Sequence, residues 1–391
     1  MRRALRLRLV PALAALCVSG LLATPARAAD DPSLRQLLDR LVAAPGGPPG
    51  VIVVLRDGDR QRVVRAGVAD LATGRPIDPD DHTRTASTSK AFSGAVALRL
   101  VRDHRLGLDD TIGRRLPRLP HAWRSVTLRQ LLQHTSGLPD FSASPRFVSI
   151  VKADPHHRFD SRRLLDFVAG EPLGFRPGTR YHYSNSDNIA VALMAEAATG
   201  QRYEELLRRY VYRPLGLRDT SLPQGYKMPR PYMHGYDVSG SGRPQDVSEA
   251  LGVSGVWASG GIISTPRDLT RFIAGYASGA LTSPAALRAQ RHWIDGASEP
   301  AGPGRNSAGL AIFRYETRCG VVLGHTGNFP GYTQFIAATP DGRRALTFSV
   351  GTQVNAASTP ALLRRLRAAE EQAVCTLLTR QPVRPPSSHG R

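Results

Sequence analysis

Lysine is nearly absent from this chain of 391 residues. Of the 52 basic residues only three are lysines, Lys90, Lys152 and Lys227, and the other 49 are arginines. Arginine stays protonated, whereas a desolvated lysine amine can lose its proton and act as a base. A lysine that persists in such a chain is therefore a candidate for proton transfer. Lys90 is the strongest, because it follows Ser87 by three residues and that spacing places both side chains on one face of a helix.

The chain also lacks an apolar run long enough to span a membrane. The stretch from about Leu9 to Ala23 is shorter than the ~20 residues that a spanning helix needs. It follows a basic start and precedes the small-residue site Ala26-Arg27-Ala28, which predicts a signal peptide over residues 1–28. We expect a secreted protein with no membrane anchor after cleavage. Residues 1–28 hold five arginines and no acid, so cleavage lowers the formal charge from +20 to +15.

Several function classes lack the residue patterns that they need. The arginines are scattered and form no basic run with interleaved aromatics, so no nucleic-acid partner is expected. An anionic cell envelope suits the basic charge better. His156 and His157 have no second ligand motif, so we predict no metal site, and no cofactor is implied. The G-x-S-x-G turn of α/β-hydrolases is missing as well.

Cysteine is scarce in the mature chain. Cys319 and Cys375 remain once the signal peptide is removed, since the third cysteine, Cys17, lies within it. Two cysteines in an oxidising compartment favour a single disulfide, and two buried free thiols are the alternative.

The order of periodic segments predicts an α+β fold. Strand-like runs occur near both ends of the mature chain, helices and long loops lie between them, and an amphipathic helix comes last. We predict one antiparallel sheet built from residues 29–84 and 301–380 and flanked by helices. A mostly helical domain, residues 85–300, is inserted, and residues 381–391 form a disordered tail. The site is expected in a cleft between the two parts.

Two further short motifs accompany Ser87-x-x-Lys90. Tyr183-Ser184-Asn185 lies in a polar loop before a helix, where turn and capping chemistry would also explain it. His325-Thr326-Gly327 lies at the edge of a strand. Each motif alone is weak evidence. All three together, in this order and on suitable elements, indicate a site with a nucleophilic serine.

The three motifs resemble those of the penicillin-recognising serine hydrolases, which include secreted actinobacterial D-alanyl-D-alanine carboxypeptidases, class C β-lactamases and related esterases. The stretches LLQHTSGLPD, FRPGTRYHYSN and WASGGIISTPRDL add to the resemblance, which extends from about Asp31 to Leu378. It implies a β-lactamase/transpeptidase-like fold and an acyl-enzyme mechanism. It also implies a disulfide, because the carboxypeptidases pair a cysteine placed as Cys319 is with one in the last helix, as Cys375 is.

The resemblance assigns a role to each motif. Ser87 would be the nucleophile, Lys90 the base that activates it, and Tyr183 the carrier of the proton to the leaving group. Asn185 would hold the substrate amide. The other assignments concern the opposite strand: His325 and Thr326, with Gly327, would give positive or hydrogen-bonding character near a substrate carboxylate, and the N–H groups of Ser87 and Asn328 would form the oxyanion hole.

Substrate specificity stays open at some positions. Trp257 could wall the cleft, although burial in the core is more common for a tryptophan. Phe313 and Asn328 stand where the carboxypeptidases have an arginine and a threonine that bind the substrate's terminal carboxylate. The adjacent Arg314 should face the other side of its strand.

The expected protein is a monomeric D-Ala-D-Ala carboxypeptidase that acts on cell-wall peptides and is acylated by β-lactams. A class C-like β-lactamase or a small-ester esterase on the same site is the alternative. A penicillin-binding sensor that is acylated without turnover is a further alternative. The complete set of motifs argues against it, because such a sensor would not need all three.

Overall fold

The computed structural model describes residues 32–240 and 242–379, so the predicted signal peptide and tail lie outside the described residues. The strands are β1 (Gly50–Asp57), β2 (Arg60–Gly67), β3 (Thr83–Arg84), β4 (Tyr236–Asp237), β5 (Gln245–Asp246), β6 (Ile263–Ser264), β7 (Ile294–Asp295), β8 (Arg305–Ala308), β9 (Phe313–Thr317), β10 (Gly320–Phe329), β11 (Tyr332–Ala338) and β12 (Arg344–Val350).

The α-helices are α1 (Pro32–Val42), α2 (Ser89–Arg102), α3 (Ile112–Arg115), α4 (Leu128–Leu132), α5 (Pro145–Ala153), α6 (Asn185–Thr199), α7 (Tyr203–Leu207), α8 (Arg213–Leu215), α9 (Trp257–Gly260), α10 (Pro266–Ser278), α11 (Pro284–Gln290) and α12 (Pro360–Leu378). Short 3₁₀ turns span Ala86–Thr88, His121–Trp123, Phe141–Ala143, Ser161–Phe167 and Val253–Gly255, and a π-helical turn spans Arg208–Tyr212. Within the described ranges no helix combines the length and the apolar character needed to cross a membrane.

An eight-stranded antiparallel sheet joins the two ends of the chain. Its strand order is β2-β1-β12-β11-β10-β9-β8-β7. In β1, Val53 pairs with Val64 of β2 on one side and with Phe348 of β12 on the other. The first six residues of β1 are buried, as the uninterrupted apolar run predicts for a strand covered on both faces. The α+β prediction, with one antiparallel sheet assembled from both ends, is confirmed.

Helices cover both faces of the sheet. On one face, Leu38 of α1 and Leu366 of α12 share a core with Val53 and Phe348. On the other face, α10 packs against β1, β11 and β12, and its Phe272 belongs to a second core built largely from helices. Helix α2 lies inside that second core, buried on nearly every side. The domain boundary at residue 300 remains a prediction, and β7 joins the sheet a few residues before it.

One predicted strand is divided in the structure. The pattern AGLAIFRY predicts a single strand, but the chain leaves the sheet after β8 and re-enters it at β9. Between them Ala311 has a φ of +53°. The N–H groups of Leu310 and Ala311 donate to the carbonyls of Gln290 and Leu132, at 3.0 and 2.7 Å. These acceptors lie in the helical part, so tertiary contact overrides the local strand pattern.

Cys319 and Cys375 form a disulfide. Their Cα atoms are 5.1 Å apart, and the bond ties the turn between β9 and β10 to α12. The pairing implied by the family resemblance is therefore confirmed, and the free-thiol alternative is wrong.

Replacing both Cys319 and Cys375 with alanine should lower the free energy of unfolding by about 4 kcal/mol in the chain-entropy model, because the bond spans 56 residues. Urea unfolding followed by tryptophan fluorescence measures the loss. Reducing agent should destabilise the wild type to a similar extent and leave the double variant unchanged. Equal stability of the oxidised wild type and the variant would contradict the prediction.

Candidate active site

The proposed nucleophile, Ser87, lies in the 3₁₀ turn directly before α2. Ala86 has a φ of +51°, a strained conformation for a residue with a Cβ. Thr85 anchors the turn from its N-terminal side, because its hydroxyl donates to the Ile262 carbonyl at 2.9 Å. The turn is thus held in place by the helical core, and the Ser87 side chain faces a cleft.

Lys90 lies one turn further on and is fully buried. Its Nζ donates to Ser87 Oγ at 3.0 Å, to Asn185 Oδ1 at 2.8 Å and to the Ser259 carbonyl at 2.9 Å. An ammonium group has three hydrogens, and all three are satisfied. The predicted Ser87 and Lys90 pair is therefore within hydrogen-bonding distance.

Burial lowers the pKa of the Lys90 amine to about 7. The loss of solvent disfavours the charged form, and nearby carboxylates, Asp140 first among them, oppose the shift. At neutral pH a large fraction of Lys90 is consequently unprotonated. A base works best when its pKa lies near the working pH, and Lys90 meets that condition.

Tyr183 contributes a neutral phenol to the same group. Lys90 Nζ lies 4.9 Å from the centre of the Tyr183 ring. Burial raises the pKa of the phenol well above 10, and the neighbouring Ser87 side chain offsets this in part. Among the described residues, none forms a hydrogen bond of standard geometry with the Tyr183 hydroxyl. Tyr183 therefore keeps its proton, and Lys90 is the group that titrates near neutrality.

Asn185 is oriented by a residue that the sequence motifs did not identify, Asp140. Asn185 begins α6, and its Nδ2 donates to Asp140 Oδ2 at 3.0 Å and to Ser142 Oγ at 3.1 Å. Its backbone N–H donates to the same Asp140 oxygen at 2.9 Å. These bonds fix the amide so that Oδ1 faces Lys90. Asp140 lies within LLQHTSGLPD, one of the family-like stretches, which was the only signal for it.

The third motif supports the nucleophile through its glycine. A Cβ on Gly327 would lie 2.8 Å from the Ser87 backbone nitrogen, so only glycine lets β10 approach the turn this closely. His325 on the same strand is fully buried, and burial lowers its pKa to about 3. Its ring packs against Phe313, 5.0 Å between centroids. Burial thus disfavours a positive charge on His325, which is not among the residues that line the cleft, and its role near a substrate carboxylate stays a prediction.

Thr326 and Asn328 lie on the other face of β10. Thr326 Oγ1 donates to the Pro300 carbonyl, which joins a neighbouring loop to the strand. Asn328 lines the cleft, and its Nδ2 donates to the Val354 carbonyl at 2.8 Å. Phe329 and Tyr332 flank a two-residue turn and close the β10–β11 ladder. Hydrogen-bonded and non-hydrogen-bonded pairs alternate along an antiparallel ladder. Because Phe329 and Tyr332 form the hydrogen-bonded pair next to the turn, the N–H of Asn328 points away from β11.

The cleft has a volume of about 860 Å³. It brings together residues of the first two motifs, the residues directly after the third motif, and the loops 297–301 and 355–357. Its lining includes Ser87, Ser142, Tyr181, Tyr183, Asn185, Ser259, Glu299, Asn328, Leu363 and Arg367. Trp257 is not among them. Its ring is fully buried and its Nε1 donates to Glu204 at 3.0 Å, so it belongs to the core and the assignment to the cleft wall is wrong.

The charged side chains of the cleft come from unexpected places. Phe313, at the expected position of a carboxylate-binding arginine, is buried. Arg314 forms an ion pair with Glu316 and does not line the cleft, as strand alternation predicts. Among the described lining residues the cation is Arg367, from α12, and the acid is Glu299, from the loop after β7. Neither had a sequence signal.

Comparison with known proteins agrees with this geometry. A family model described as Beta-lactamase matches residues 34–371, nearly the whole described chain. The chain belongs to the beta-lactamase family. It is an enzyme of the beta-lactamase and penicillin-binding-protein group of serine hydrolases.

Curated relatives are distant. Penicillin-binding protein 4* of Bacillus subtilis (strain 168) is 26% identical over 320 residues, which cover 76% of this chain and 67% of that protein. Protein flp of Staphylococcus aureus (strain MW2) is 25% identical over 198 residues, 50% of this chain and 39% of the relative. The chain therefore spans well under half of the length of Protein flp.

Solved structures match over a larger share. A D-stereospecific amidohydrolase from Streptomyces sp. has a TM-score of 0.74 and 27% identity, covering 87% of this chain and 98% of that one. A D-amino acid amidase from Ochrobactrum anthropi SV3 has a TM-score of 0.76 and 25% identity, covering 88% and 98%. A penicillin-binding protein from Bacillus halodurans, at 20% identity and a TM-score of 0.66, shares the fold.

Replacing Asp140 with asparagine should shift the acid limb of the acylation profile to lower pH. The variant loses a negative charge that raises the pKa of Lys90. The pKa of Lys90 therefore falls, and the unprotonated base persists in more acid solution. The plateau rate should fall about 10- to 100-fold, because the single amide oxygen cannot replace both carboxylate oxygens that hold Asn185 and Ser142. Stopped-flow acylation by a chromogenic cephalosporin over a pH series measures both effects.

The exposed Asp59 offers a matched control. Asp59→Asn removes the same charge at a distance from the site and should leave the profile unchanged. An unshifted acid limb in Asp140→Asn would show that this carboxylate does not act on Lys90.

Proposed function

We propose that this protein is a secreted serine hydrolase that cleaves D-alanyl-D-alanine peptides of the cell wall as a carboxypeptidase, through an acyl-enzyme at Ser87. One observation carries the proposal: Lys90 Nζ lies 3.0 Å from Ser87 Oγ while its burial lowers the amine pKa to about 7. A base of that pKa at that distance can activate a serine hydroxyl at neutral pH.

Acylation follows from the positions of three side chains. Neutral Lys90 accepts the proton of Ser87 as Oγ attacks the carbonyl carbon of the scissile amide. Tyr183 then donates its phenolic proton to the departing amine and is reprotonated from Lys90. The bond from carbon to nitrogen breaks, the bond from carbon to Ser87 Oγ remains, and the amine leaves neutral.

Two backbone N–H groups are suited to stabilise the developing oxyanion. No acceptor for the Ser87 N–H occurs within the described residues, and the Asn328 N–H points away from its ladder partner. Both residues line the cleft. Such a donor contributes roughly 3 to 4 kcal/mol to the transition state.

Deacylation reverses the proton path. A water molecule enters the site of the departed amine and gives its proton to Lys90 by way of Tyr183, and its oxygen attacks the ester carbon. Ser87 Oγ leaves with a proton, and the product is a carboxylic acid. Lys90 and Tyr183 thus act as acid and base in turn.

Export is supported by the leader pattern in residues 1–28 and by the Cys319–Cys375 disulfide, since such bonds persist in oxidising compartments. A peptidoglycan substrate outside the membrane would be accessible to a secreted monomer. Acylation by β-lactams is proposed because a relative is named a penicillin-binding protein.

Carboxypeptidase action needs a group that binds the terminal carboxylate, and Arg367 is suited to it. Arg367 lines the cleft. Its nearest acidic partner, Glu370, lies 3.9 Å away, too far for a hydrogen bond. We propose that Arg367, from α12, takes the place of the arginine that is missing at Phe313.

A second candidate is hydrolysis of D-amino acid amides. Two solved structures at 25% and 27% identity carry the titles of a D-amino acid amidase and a D-stereospecific amidohydrolase, and this chain covers 98% of each. Such a substrate has no terminal carboxylate, so the departure at Phe313 would be of no consequence. A β-lactamase or an esterase would use the same acylation groups.

Covalent labelling tests the catalytic assignment. Ser87→Ala should gain no penicillin adduct, since the nucleophile is gone. Lys90→Arg should label about 10² to 10⁴ times more slowly, because arginine cannot accept the proton. Tyr183→Phe should label slowly but bind the drug, because the ring remains. Intact-protein mass, followed over time, measures all three.

The exposed Lys152 provides the control for Lys90. Lys152→Arg makes the same exchange away from the cleft and should label at the wild-type rate. Rapid labelling of Lys90→Arg, or any adduct on Ser87→Ala, would overturn the mechanism.

A substrate panel tests the specificity. We expect the highest kcat/KM for N-acetylated D-Ala-D-Ala peptide, with lower values for the same peptide with a C-terminal amide, a D-amino acid amide, a β-lactam chromophore and a short-chain aryl ester. Arg367→Gln should lower kcat/KM for the free carboxylate about 10-fold or more through KM, and leave the C-terminal amide nearly unchanged. A dominant rate for the D-amino acid amide or the ester would replace the carboxypeptidase assignment.

A further inference from the structure

Glu299 presents an acidic group in the cleft that the acylation mechanism does not use. Its side chain lines the cleft and is exposed there. It is neither hydrogen-bonded nor ion-paired with any residue in the described part of the chain. A surface carboxylate needs no partner, but this one lies in the cavity that contains Ser87.

The loop around Glu299 is held at three points. Tyr181 OH donates to the Ala297 carbonyl at 2.5 Å, and Ser298 Oγ lies 2.9 Å from Tyr315 OH. The Pro300 carbonyl accepts from Thr326 of the third motif. The residues on both sides of Glu299 are therefore fixed to the site, so the carboxylate has a defined position in the cleft.

The surroundings of Glu299 are close to the reaction centre. The cleft walls raise the pKa of its carboxyl by desolvation, and the positive charge of Lys90 opposes that effect. The influence is mutual, since Glu299 helps to hold up the pKa of Lys90. A partly desolvated carboxylate gains most from a cation that enters the cleft with the substrate.

We propose that Glu299 binds a primary ammonium group of the substrate and so selects peptides that carry one. The inference rests on the proposed function, in which an amide is cleaved at Ser87. In such a peptide the nitrogen of the leaving residue is part of the scissile amide, so a free ammonium belongs to the acyl portion. Arg367 and Glu299 then recognise opposite charges on the two portions of one small peptide.

The ammonium has two chemical sources. It is either the α-amino group of the residue that becomes the acyl group or the side-chain amine of a diamino acid further towards the N-terminus. Both are primary ammonium groups and both would pair with a carboxylate. Two matched pairs of substrates separate them: D-Ala-D-Ala with its N-acetyl form, and Nα-acetyl-L-Lys-D-Ala-D-Ala with its Nα,Nε-diacetyl form.

The experiment compares kcat/KM within each pair for the wild type and for Glu299→Gln. The wild type should prefer the ammonium in one pair about 10-fold or more, and the variant should lose most of that preference, chiefly through KM. The pair that shows the preference identifies the source. Glu171→Gln, an exposed glutamate outside the cleft lining, removes the same charge and should keep the wild-type ratio.

The ratio separates recognition from a general electrostatic effect. Loss of the Glu299 charge also lowers the pKa of Lys90 in the free enzyme, and that change is the same for both members of a pair. Penicillin labelling of Glu299→Gln at Ser87 verifies that the variant is folded and active. A wild type without preference in either pair, or a preference that survives in Glu299→Gln, would overturn the proposal.

Binding to the Ser87→Ala protein tests the same inference without turnover. Calorimetry should give tighter binding for the ammonium form of the selecting pair, and the added Glu299→Gln change should remove the difference. Failure of the proposed function would appear separately, as wild-type protein that neither hydrolyses the peptides nor gains the penicillin adduct. Equal affinities for ammonium and acetylated forms would overturn the role of Glu299 even then.

Discussion

The burial of one amine, that of Lys90, is the constraint on which the site depends. A buried ammonium is costly unless its hydrogens find acceptors. The acceptors come from Ser87, Asn185 and Ser259, on segments remote in sequence. Helices α2, α6 and α9 must therefore pack on one another at one point, as they do. The same packing excludes water and lowers the amine pKa to about 7, so one arrangement satisfies the charge and creates the base.

The sheet supplies the second wall of the site. The turn that carries Ser87 rests on β10, where Gly327 allows the backbones to approach. Strand β9 pairs with β10 only as far as Gly324, so the end of β10 is free to face the cleft. Through Thr326 that strand also fixes the loop that carries Glu299. Neither part contains a complete site alone. The nucleophile and the base belong to the helical part, and the opposite wall of the cleft belongs to the sheet.

Sequence reasoning succeeded where the signal is local. Apolar periodicity identified the sheet, spacing joined Ser87 to Lys90, and strand alternation turned Arg314 away from the cleft. It is less informative where burial decides, since nothing near His325 in the sequence indicates that burial lowers the pKa of its ring. Glu299 and Arg367 could not be found at all. They come from a loop and a helix that share no motif, and only the tertiary fold brings them to the same cavity.

The proposed ammonium site would act on the base as well as on specificity. With the cleft empty, the negative charge of Glu299 helps to hold the pKa of Lys90 up and so keeps part of the amine protonated. A bound ammonium group neutralises that charge, and the pKa of Lys90 falls. The unprotonated form, which takes the proton from Ser87, is then more populated with substrate than without it. A substrate that carries the ammonium group would thereby favour the activation of Ser87. With an uncharged substrate, the pKa of Lys90 would stay at its value in the empty cleft.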